Sequence, residues 1–465
     1  MFCTHLTLAE FRNYAALDCD LPEGISVIQG ANGSGKSSLL EALYLLATAR
    51  SPRASVDAEL VNTAATADLG VPPFARIAAE VTRRTDSVTL EVIIAREDSR
   101  SLTVPTGDSP ELAATTPANP VARKRIKIND IPRRAVDLVG QINVVLFTPE
   151  DVDLVTGEPS LRRRYMDITI SQVDHRYIRT LSQYNKVVLQ RNALLRQMRE
   201  QGRNPLSPGV AEELRYWDEE LARAGAYIVL RRQVWVTRMN RLAGELHTQL
   251  VGVDAPARGT EAAPFKGDLQ MAYASAVAPQ ARAALAPDLG AQWAGLHAEW
   301  VAGGVASPEV ARMQARIPHV EALVTRISAE FLAQLEKLRV DEVRRGVSLL
   351  GPHRDDLRLS LAGMGLGTFG SRGQQRTAVL ALKLAEVALM RVETGDSPIL
   401  LLDDILSELD ARRRGFLLHT LTEPLARTER PPQVLITTTD WTPFDPAFLA
   451  RVARFEVDEG VLRAL

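Results

Sequence analysis

Eight residues near the start of the chain, Gly30-Ala31-Asn32-Gly33-Ser34-Gly35-Lys36-Ser37, constrain its fold more than any other stretch. They fit G-x-x-x-x-G-K-[ST] and sit where that pattern has a mechanism. Residues 24–29 before them read as a short buried strand. After them Leu39, Leu40, Leu43, Leu46 and Ala47 recur at helical spacing, so a helix is expected from about Lys36. A strand, a glycine-rich turn and a helix N-terminus make a phosphate cradle: backbone N–H groups converge and the helix dipole favours an anion. Lys36 is expected to reach the β- and γ-phosphates of a nucleotide, and the Ser37 hydroxyl to bind Mg²⁺. A chance match to a glycine-rich turn would leave the flanking strand and helix unexplained.

At 465 residues the chain can build two or three domains. Its 46% hydrophobic and 24% charged residues are ordinary for a soluble globular protein. A formal net charge of −2 gives no global attraction to a polyanion, so any nucleic-acid surface must be a local cluster. Cys3 and Cys19 lie on expected N-terminal strands without a companion at metal-ligand spacing, which predicts buried, reduced thiols in a reducing compartment. No signal-peptide pattern opens the chain, and no apolar run approaches the roughly 18 residues that span a bilayer. A cytoplasmic protein with no membrane partner is expected.

Element patterns divide the chain into three. Residues 1–158 carry the phosphate loop, strands at 5–8 and 17–21 around the turn Phe11-Arg12-Asn13-Tyr14, and alternating segments at 76–81, 87–94 and 124–128 that predict an antiparallel sheet. Residues 101–120, rich in Pro, Thr and Ala, read as an exposed loop, and 142–147 as a buried strand. Residues 159–340 turn helical: 162–198 and 210–250 predict a pair of antiparallel helices forming an arm, 252–318 an Ala/Pro/Gly-rich insertion with short helices, and 320–340 a further helix. Residues 341–465 return to strands at 356–361, 398–402, 433–437 and 453–457.

Pro398-Ile399-Leu400-Leu401-Leu402 ending in Asp403-Asp404 is a Walker B pattern, a strand buried on both faces with acids at its end. Asp403 is expected to hold Mg²⁺ opposite Ser37, and Asp404 to orient or deprotonate the attacking water. Ser407-Glu408-Leu409-Asp410 would bring a further acid near. Ser371-Arg372-Gly373-Gln374-Gln375, before an amphipathic helix at 376–391, resembles the signature motif of ABC-type ATPases. Its alternative is an ordinary serine cap; its place between the two Walker motifs favours the signature. In that superfamily the signature segment caps the γ-phosphate held by a partner's phosphate loop.

Three further stretches narrow the resemblance: Phe11-Arg12-Asn13-Tyr14, then residues 149–159 leading into Arg162-Arg163-Arg164-Tyr165-Met166-Asp167, and Leu349-Leu350-Gly351-Pro352-His353-Arg354-Asp355-Asp356-Leu357. With residues 404–410 they resemble the RecF family of bacterial recombination-repair ATPases. The resemblance implies an α/β ABC-type ATPase head, a mixed sheet with a P-loop core assembled from the two ends of the chain, with an inserted helical or coiled-coil arm. It implies ATP and Mg²⁺ as ligands, held by Gly30 to Ser37, Arg12, Asn13, Ser371, Gly373 and Gln374 with Asp403, and Lys36, Asp403 and Asp404 as the catalytic set. It further implies ATP-dependent homodimerisation on double-stranded DNA and at junctions with single-stranded gaps, helping RecR, and with it RecO, to load RecA in repair and the SOS response, with slow hydrolysis releasing the clamp.

The resemblance leaves out 101–120 and 252–318, which make the chain longer than expected of the family. Asp404 stands where ABC proteins commonly have Glu, Thr437-Thr438-Thr439-Asp440 where the switch histidine is usual, and no Q-loop glutamine is obvious near residues 148–151. For DNA, the alternating cations Arg123-Lys124-Arg125-Ile126-Lys127 and the run Arg162-Arg163-Arg164 are the candidate contacts, against the plainer reading of solvated faces. The alternative function is an SMC-like structural ATPase of chromosome maintenance, which needs a far longer coiled coil than an arm of some tens of ångströms at about 1.5 Å per residue. A transporter subunit would lack the helical insertion, and an unrelated P-loop kinase would not explain Ser371 to Gln375.

Overall fold

Period-two alternation at the N-terminus folds as strands with one face inward. In chain order β1 (Phe2–Phe11) and β2 (Tyr14–Asp20) form a hairpin, and β3 (Ile25–Gln29) runs into the phosphate loop and α1 (Lys36–Thr48). β4 (Phe74–Thr82), β5 (Ser87–Glu97), β6 (Val121–Ile128) and β7 (Ile131–Arg133) then complete an antiparallel sheet of order β2-β1-β4-β5-β6-β7. The computed structural model describes residues 1–66, 72–97, 121–253, 268–283, 320–422, 431–442 and 444–465; the expected loop at 101–120 and most of the 252–318 insertion lie outside them.

β8 (Val144–Phe147) belongs to a second sheet. The arm follows as α2 (Pro159–Val173), α3 (His175–Glu200) and α4 (Pro208–Val253). The single helix expected over 162–198 is therefore two. Asp174 leaves helical geometry at φ −133° and ψ 96°, and its carboxylate caps α3 by accepting the Tyr177 N–H at 2.9 Å. The described part of the insertion carries a strand that periodicity did not reveal, β9 (Leu269–Ala274), before α5 (Val320–Arg345). β9 pairs antiparallel with β10 (Asp356–Leu361), which pairs in turn with β11 (Met364–Gly365).

The signature helix α6 (Arg372–Thr394) starts four residues earlier than its apolar pattern suggests, because Ser371 and Gln374 form a capping box ahead of it. β12 (Ile399–Asp403), α7 (Ala411–Thr422), β13 (Val434–Thr438), β14 (Ala453–Asp458) and β15 (Val461–Ala464) end the chain. The second sheet has the order β15-β14-β3-β13-β12-β8, parallel except for the β14–β15 hairpin.

This parallel sheet lies between two cores, and along β3, β8, β12 and β13 successive residues alternate between them. Ile28, Leu401 and Leu435 pack with α1 and the antiparallel sheet. Val27, Leu400, Leu402 and Ile436 pack with α6 and the arm. α4, 46 residues and about 69 Å long at 1.5 Å per residue, packs against α3, α5 and the signature helix. The arm's base is thus continuous with the core. Deeper in the arm Arg191, fully buried, donates to Asp218, Glu342 and the Ser348 hydroxyl and ties three segments together.

Candidate functional site

The phosphate loop leaves β3 at its C-terminal end, and Asp403 ends β12; β13 lies between them. In open α/β sheets the crevice beyond the carboxyl ends of the strands is the usual ligand site. Here it brings together both Walker segments. The Ser37 hydroxyl donates to Asp403 Oδ1 at 2.8 Å, and the Thr437 hydroxyl at the end of β13 donates to the same oxygen at 2.8 Å. Hydroxyl and carboxylate oxygens are the donor set a hard divalent cation takes, so Ser37 and Asp403 fit Mg²⁺ and Thr437 orients the carboxylate from behind. In the sequence Thr437 stood out only as the first residue of the stretch Thr437-Thr438-Thr439-Asp440, where a switch histidine is usual.

The loop fits a phosphate group. The Ser34 side chain is buried with its hydroxyl unpartnered, and the Lys36 ammonium bonds only to the carbonyls of Gly30 (2.7 Å) and Ala31 (2.8 Å) among the described residues. Burial lowers the Lys36 pKa, against the raising fields of Asp404 and Asp403. An arriving phosphate would supply the counter-charge that the carbonyls do not. Ala31, Asn32 and Gly33 are exposed at the rim.

Two turns from outside the motif brace the loop from below. Asn13 Nδ2 donates to the Ser34 carbonyl at 2.9 Å, and the Tyr14 hydroxyl to the Gly35 carbonyl at 3.0 Å. From the β14–β15 turn the Gly460 N–H donates to the same Ser34 carbonyl at 2.9 Å. These contacts explain two glycines: a Cβ on Gly30 would stand 2.3 Å from the Val457 carbonyl oxygen, and one on Gly35 (φ 119°) 2.7 Å from Asn13 Nδ2. In the sequence Tyr14 stood out only as the end of a turn motif and Gly460 not at all; side-chain size and turn propensity carry no mark of this role.

Arg12, expected at the nucleotide, pairs here with an acid of α1. Its guanidinium holds Glu41 of α1 through two bonds (2.9 and 2.8 Å) and also donates to the Glu59 carbonyl. Burial pushes the Glu41 carboxyl up, but hydrogen bonds from Arg12 and Ser51 and the charges of Arg12 and Arg53 outweigh it, leaving the pKa below its ordinary value. Arg12 thus anchors α1 to the β1–β2 turn.

Asp404 adopts the left-handed region at φ 50° and ψ 19°, and its N–H donates to the Thr437 hydroxyl at 3.0 Å. Burial raises its pKa, opposed by the Ser407 hydrogen bond and by Lys36 and reinforced by Asp403 and Glu408. The raised value suits a group that must accept a proton from water. The other acids expected nearby are engaged: Glu408 pairs with Arg376 of the signature helix, and Asp410 accepts from Arg413.

Ser371 shows the capping geometry: its hydroxyl accepts the Gln374 N–H at 3.3 Å while Gln374 Oε1 accepts the Ser371 N–H at 2.8 Å. Neither makes a hydrogen bond to the phosphate loop among the described residues. Ser371, Arg372 and Gly373 are exposed, so the N-terminus of α6 opens to solvent.

The expected DNA clusters separate. Arg162 forms a two-bond pair with Asp356, Arg163 donates to the Asp355 carbonyl and Arg164 to the Ser51 carbonyl, so all three hold the arm to the head. On β6 alternation turns Lys124 inward, to the Ala49 carbonyl (2.9 Å) and Asp57 (2.8 Å). Arg123 and Arg125 are exposed on the opposite face, where Lys127 pairs with Glu91 at 2.7 Å. Among the described residues no helix is long and apolar enough to cross a membrane.

The family described as RecF/RecN/SMC N terminal domain matches residues 2–452. A protein of Roseiflexus castenholzii named DNA replication and repair protein RecF is 43% identical over 462 residues, 99% of each chain. Proteins of the same name from Chloroflexus aurantiacus and Herpetosiphon aurantiacus are 43% and 40% identical, again over 99% of each chain. A solved structure described as the recombination mediator protein RecF-ATP in the RecFOR pathway has the same fold, with a TM-score of 0.72, 24% identity and coverage of 100% of this chain and 97% of that one.

Proposed function

The chain belongs to the RecF family, and from that premise we propose that it is an ATP-driven clamp on duplex DNA, acting in replication and recombinational repair. Two copies join head to head. Lys36 and the loop amides bind the phosphates of ATP, Ser37 and Asp403 hold Mg²⁺, and the Ser371-to-Gln374 segment of the second copy closes the site. Mg²⁺ supplies charge neutralisation at the phosphates. Asp404 positions and deprotonates water, and slow hydrolysis releases the pair. The clamp forms on double-stranded DNA beside single-stranded gaps, engages RecR directly and RecO and RecA through it, and works in the cytoplasm.

The observation that carries this reading is the N-terminus of α6. Ser371, Arg372 and Gly373 are solvent-exposed although a helix N-terminus is an anion site, and among the described residues nothing in the phosphate loop of their own chain bonds to Ser371 or Gln374. A second molecule's nucleotide answers both facts. The test is a pair of variants. Ser371→Arg places a bulky cation in the joint, so ATP binding to the monomer should stay near normal while ATP-driven dimerisation and DNA-stimulated hydrolysis disappear. Lys36→Ala should lose ATP affinity itself. Mixed, the two variants offer one intact composite site per heterodimer, and hydrolysis should partly return. Dimerisation of Ser371→Arg with ATP at the parental level, seen by gel filtration, would refute the composite site.

A further inference from the structure

The link between β11 and the signature helix is short and tightly held. It consists of one helical turn, Leu366–Phe369, and Gly370, and it ends at Ser371. Leu366 is buried, and its carbonyl accepts two bonds: the Gly370 N–H at 3.0 Å and, at 3.3 Å, Nε2 of Gln375, a buried side chain in the first turn of α6. Gly367 lies against the helical turn Asp153–Thr156, so that a Cβ on it would stand 2.7 Å from the Val155 carbonyl oxygen. Backbone bonds on one side and close packing on the other hold the link in place.

Yet this fixed link turns a phenylalanine to water. Phe369 is 61% exposed, and Met364, just before the link, is 36% exposed. Single exposed apolar residues are ordinary on a protein surface; what distinguishes Phe369 is its place. It precedes Ser371 by two positions, and two residues span at most about 7 Å. A specific interface covers about 800 Å² on each partner, a disc of about 16 Å radius. A second head seated on Ser371, Arg372 and Gly373 through its nucleotide covers a disc of that size, and Phe369 falls within it. In a two-fold pair the contact occurs twice, once beside each nucleotide.

We propose that Phe369 is an anchor of the head-to-head dimer: its ring packs against the second copy beside the composite nucleotide site. The inference rests on the head-to-head reading and adds to it an apolar contact that involves neither nucleotide nor Mg²⁺. A large aromatic side chain on a link already held in place loses little conformational freedom on association, and such residues carry much of the energy of an interface. The N-terminus of α6 supplies the direction of the joint, by facing a phosphate; Phe369 supplies apolar area.

The test uses the full chain with Mg²⁺ and the slowly hydrolysed analogue ATPγS, and follows the monomer–dimer equilibrium by sedimentation. Phe369→Ser should weaken the dimer about tenfold or more, and Phe369→Leu, which keeps most of the apolar area, by less. In both variants nucleotide binding to the dilute monomer and the thermal midpoint without nucleotide should match the parent, because an exposed ring adds little to the fold. Tyr216→Ser of α4, where the native ring is 62% exposed, should leave the dimer unchanged; equal weakening there would reduce the effect to lost surface apolarity and overturn the anchor. A dimer that Phe369→Ser leaves as tight as the parent's overturns the anchor alone. If that variant instead weakens duplex binding at an unchanged dimer constant, the ring belongs to a DNA surface and the anchor is again overturned. A parent that forms no dimer with ATPγS removes the head-to-head reading itself, and the anchor with it.

Discussion

Ser37 and Asp403 share a hydrogen bond of 2.8 Å although 366 positions separate them in the chain. The parallel strands β3, β13 and β12 stand side by side, so their ends deliver the hydroxyl, Thr437 and the carboxylate to one edge. Thr437 fills the middle position and bonds to both Asp403 and the backbone of Asp404. The Walker acids are therefore oriented by a hydroxyl from the end of the strand between them.

Thr437→Val keeps the shape of the strand but removes that hydroxyl. Mg²⁺-dependent strengthening of ATP binding should fall by about tenfold or more, the usual cost of removing a group that orients a metal ligand, while ATP binding without Mg²⁺ stays near the parental value. Titration calorimetry with and without Mg²⁺ separates the two. Equal weakening in both conditions would mean that Thr437 acts on the strand rather than on the carboxylate.

Asp404→Asn should bind ATP and Mg²⁺ normally and dimerise, with hydrolysis reduced by roughly 10²–10⁴-fold, the range for removing a general base. The parental pH profile carries a second signature. Burial lifts the Asp404 carboxyl above the ordinary 3.8, so it is protonated, and unable to take a proton from water, at a higher pH than an exposed aspartate. Hydrolysis should decline as pH falls through that raised value. An acid limb that persists unchanged in the residual activity of Asp404→Asn would point to another base.

Gly35→Ala forces a Cβ to within 2.7 Å of Asn13 Nδ2 at a φ of 119°, at a cost on the order of 1–3 kcal/mol. The phosphate loop should shift and ATP affinity fall. Asn13→Ala relieves the clash but also removes a prop, so the double variant should recover part of the stability that Gly35→Ala forfeits. Denaturant melts of the four proteins form the cycle; strict additivity would show that the two positions do not meet.

Arg191→Met leaves Asp218 and Glu342 buried without their shared cation, which should destabilise the protein by about 3–5 kcal/mol. Adding Asp218→Asn and Glu342→Gln removes both charges and should return most of it. A lower thermal midpoint for the triple variant than for Arg191→Met alone would locate the cost in packing instead.

On β6 the inward and outward cations give opposite expectations. Neutralising Arg123, Arg125 and Lys127 together should weaken duplex binding across sequences and reduce the log–log salt slope by roughly one for each phosphate that no longer meets a cation. Lys124→Gln, which breaks the bond to Asp57, should leave the slope unchanged and lower stability. A steeper effect from Lys124 than from the outer three would exclude this face as the DNA surface.

What the sequence determined by itself is local. The phosphate loop, the capping box at Ser371 and the Walker B strand depend on residues within a few positions of one another, where spacing alone decides which backbone and side-chain groups can meet. The ends of β10, the antiparallel character of the first sheet and the helical middle of the chain were legible for the same reason, since period two and period 3.6 are properties of neighbours. Partner choice was not. Arg12 pairs with Glu41 of α1, Lys124 turns inward while its neighbours do not, and the Arg162-to-Arg164 run holds the arm to the head, because a cation takes whichever acceptor packing places beside it. The same holds for β9, a weak six-residue pattern that becomes a strand only when β10 offers its edge, and for Thr437, whose hydroxyl matters because two other strands end on either side of it. These are contacts between residues tens to hundreds of positions apart, selected by how sheets and helices pack and therefore decided only in the tertiary structure.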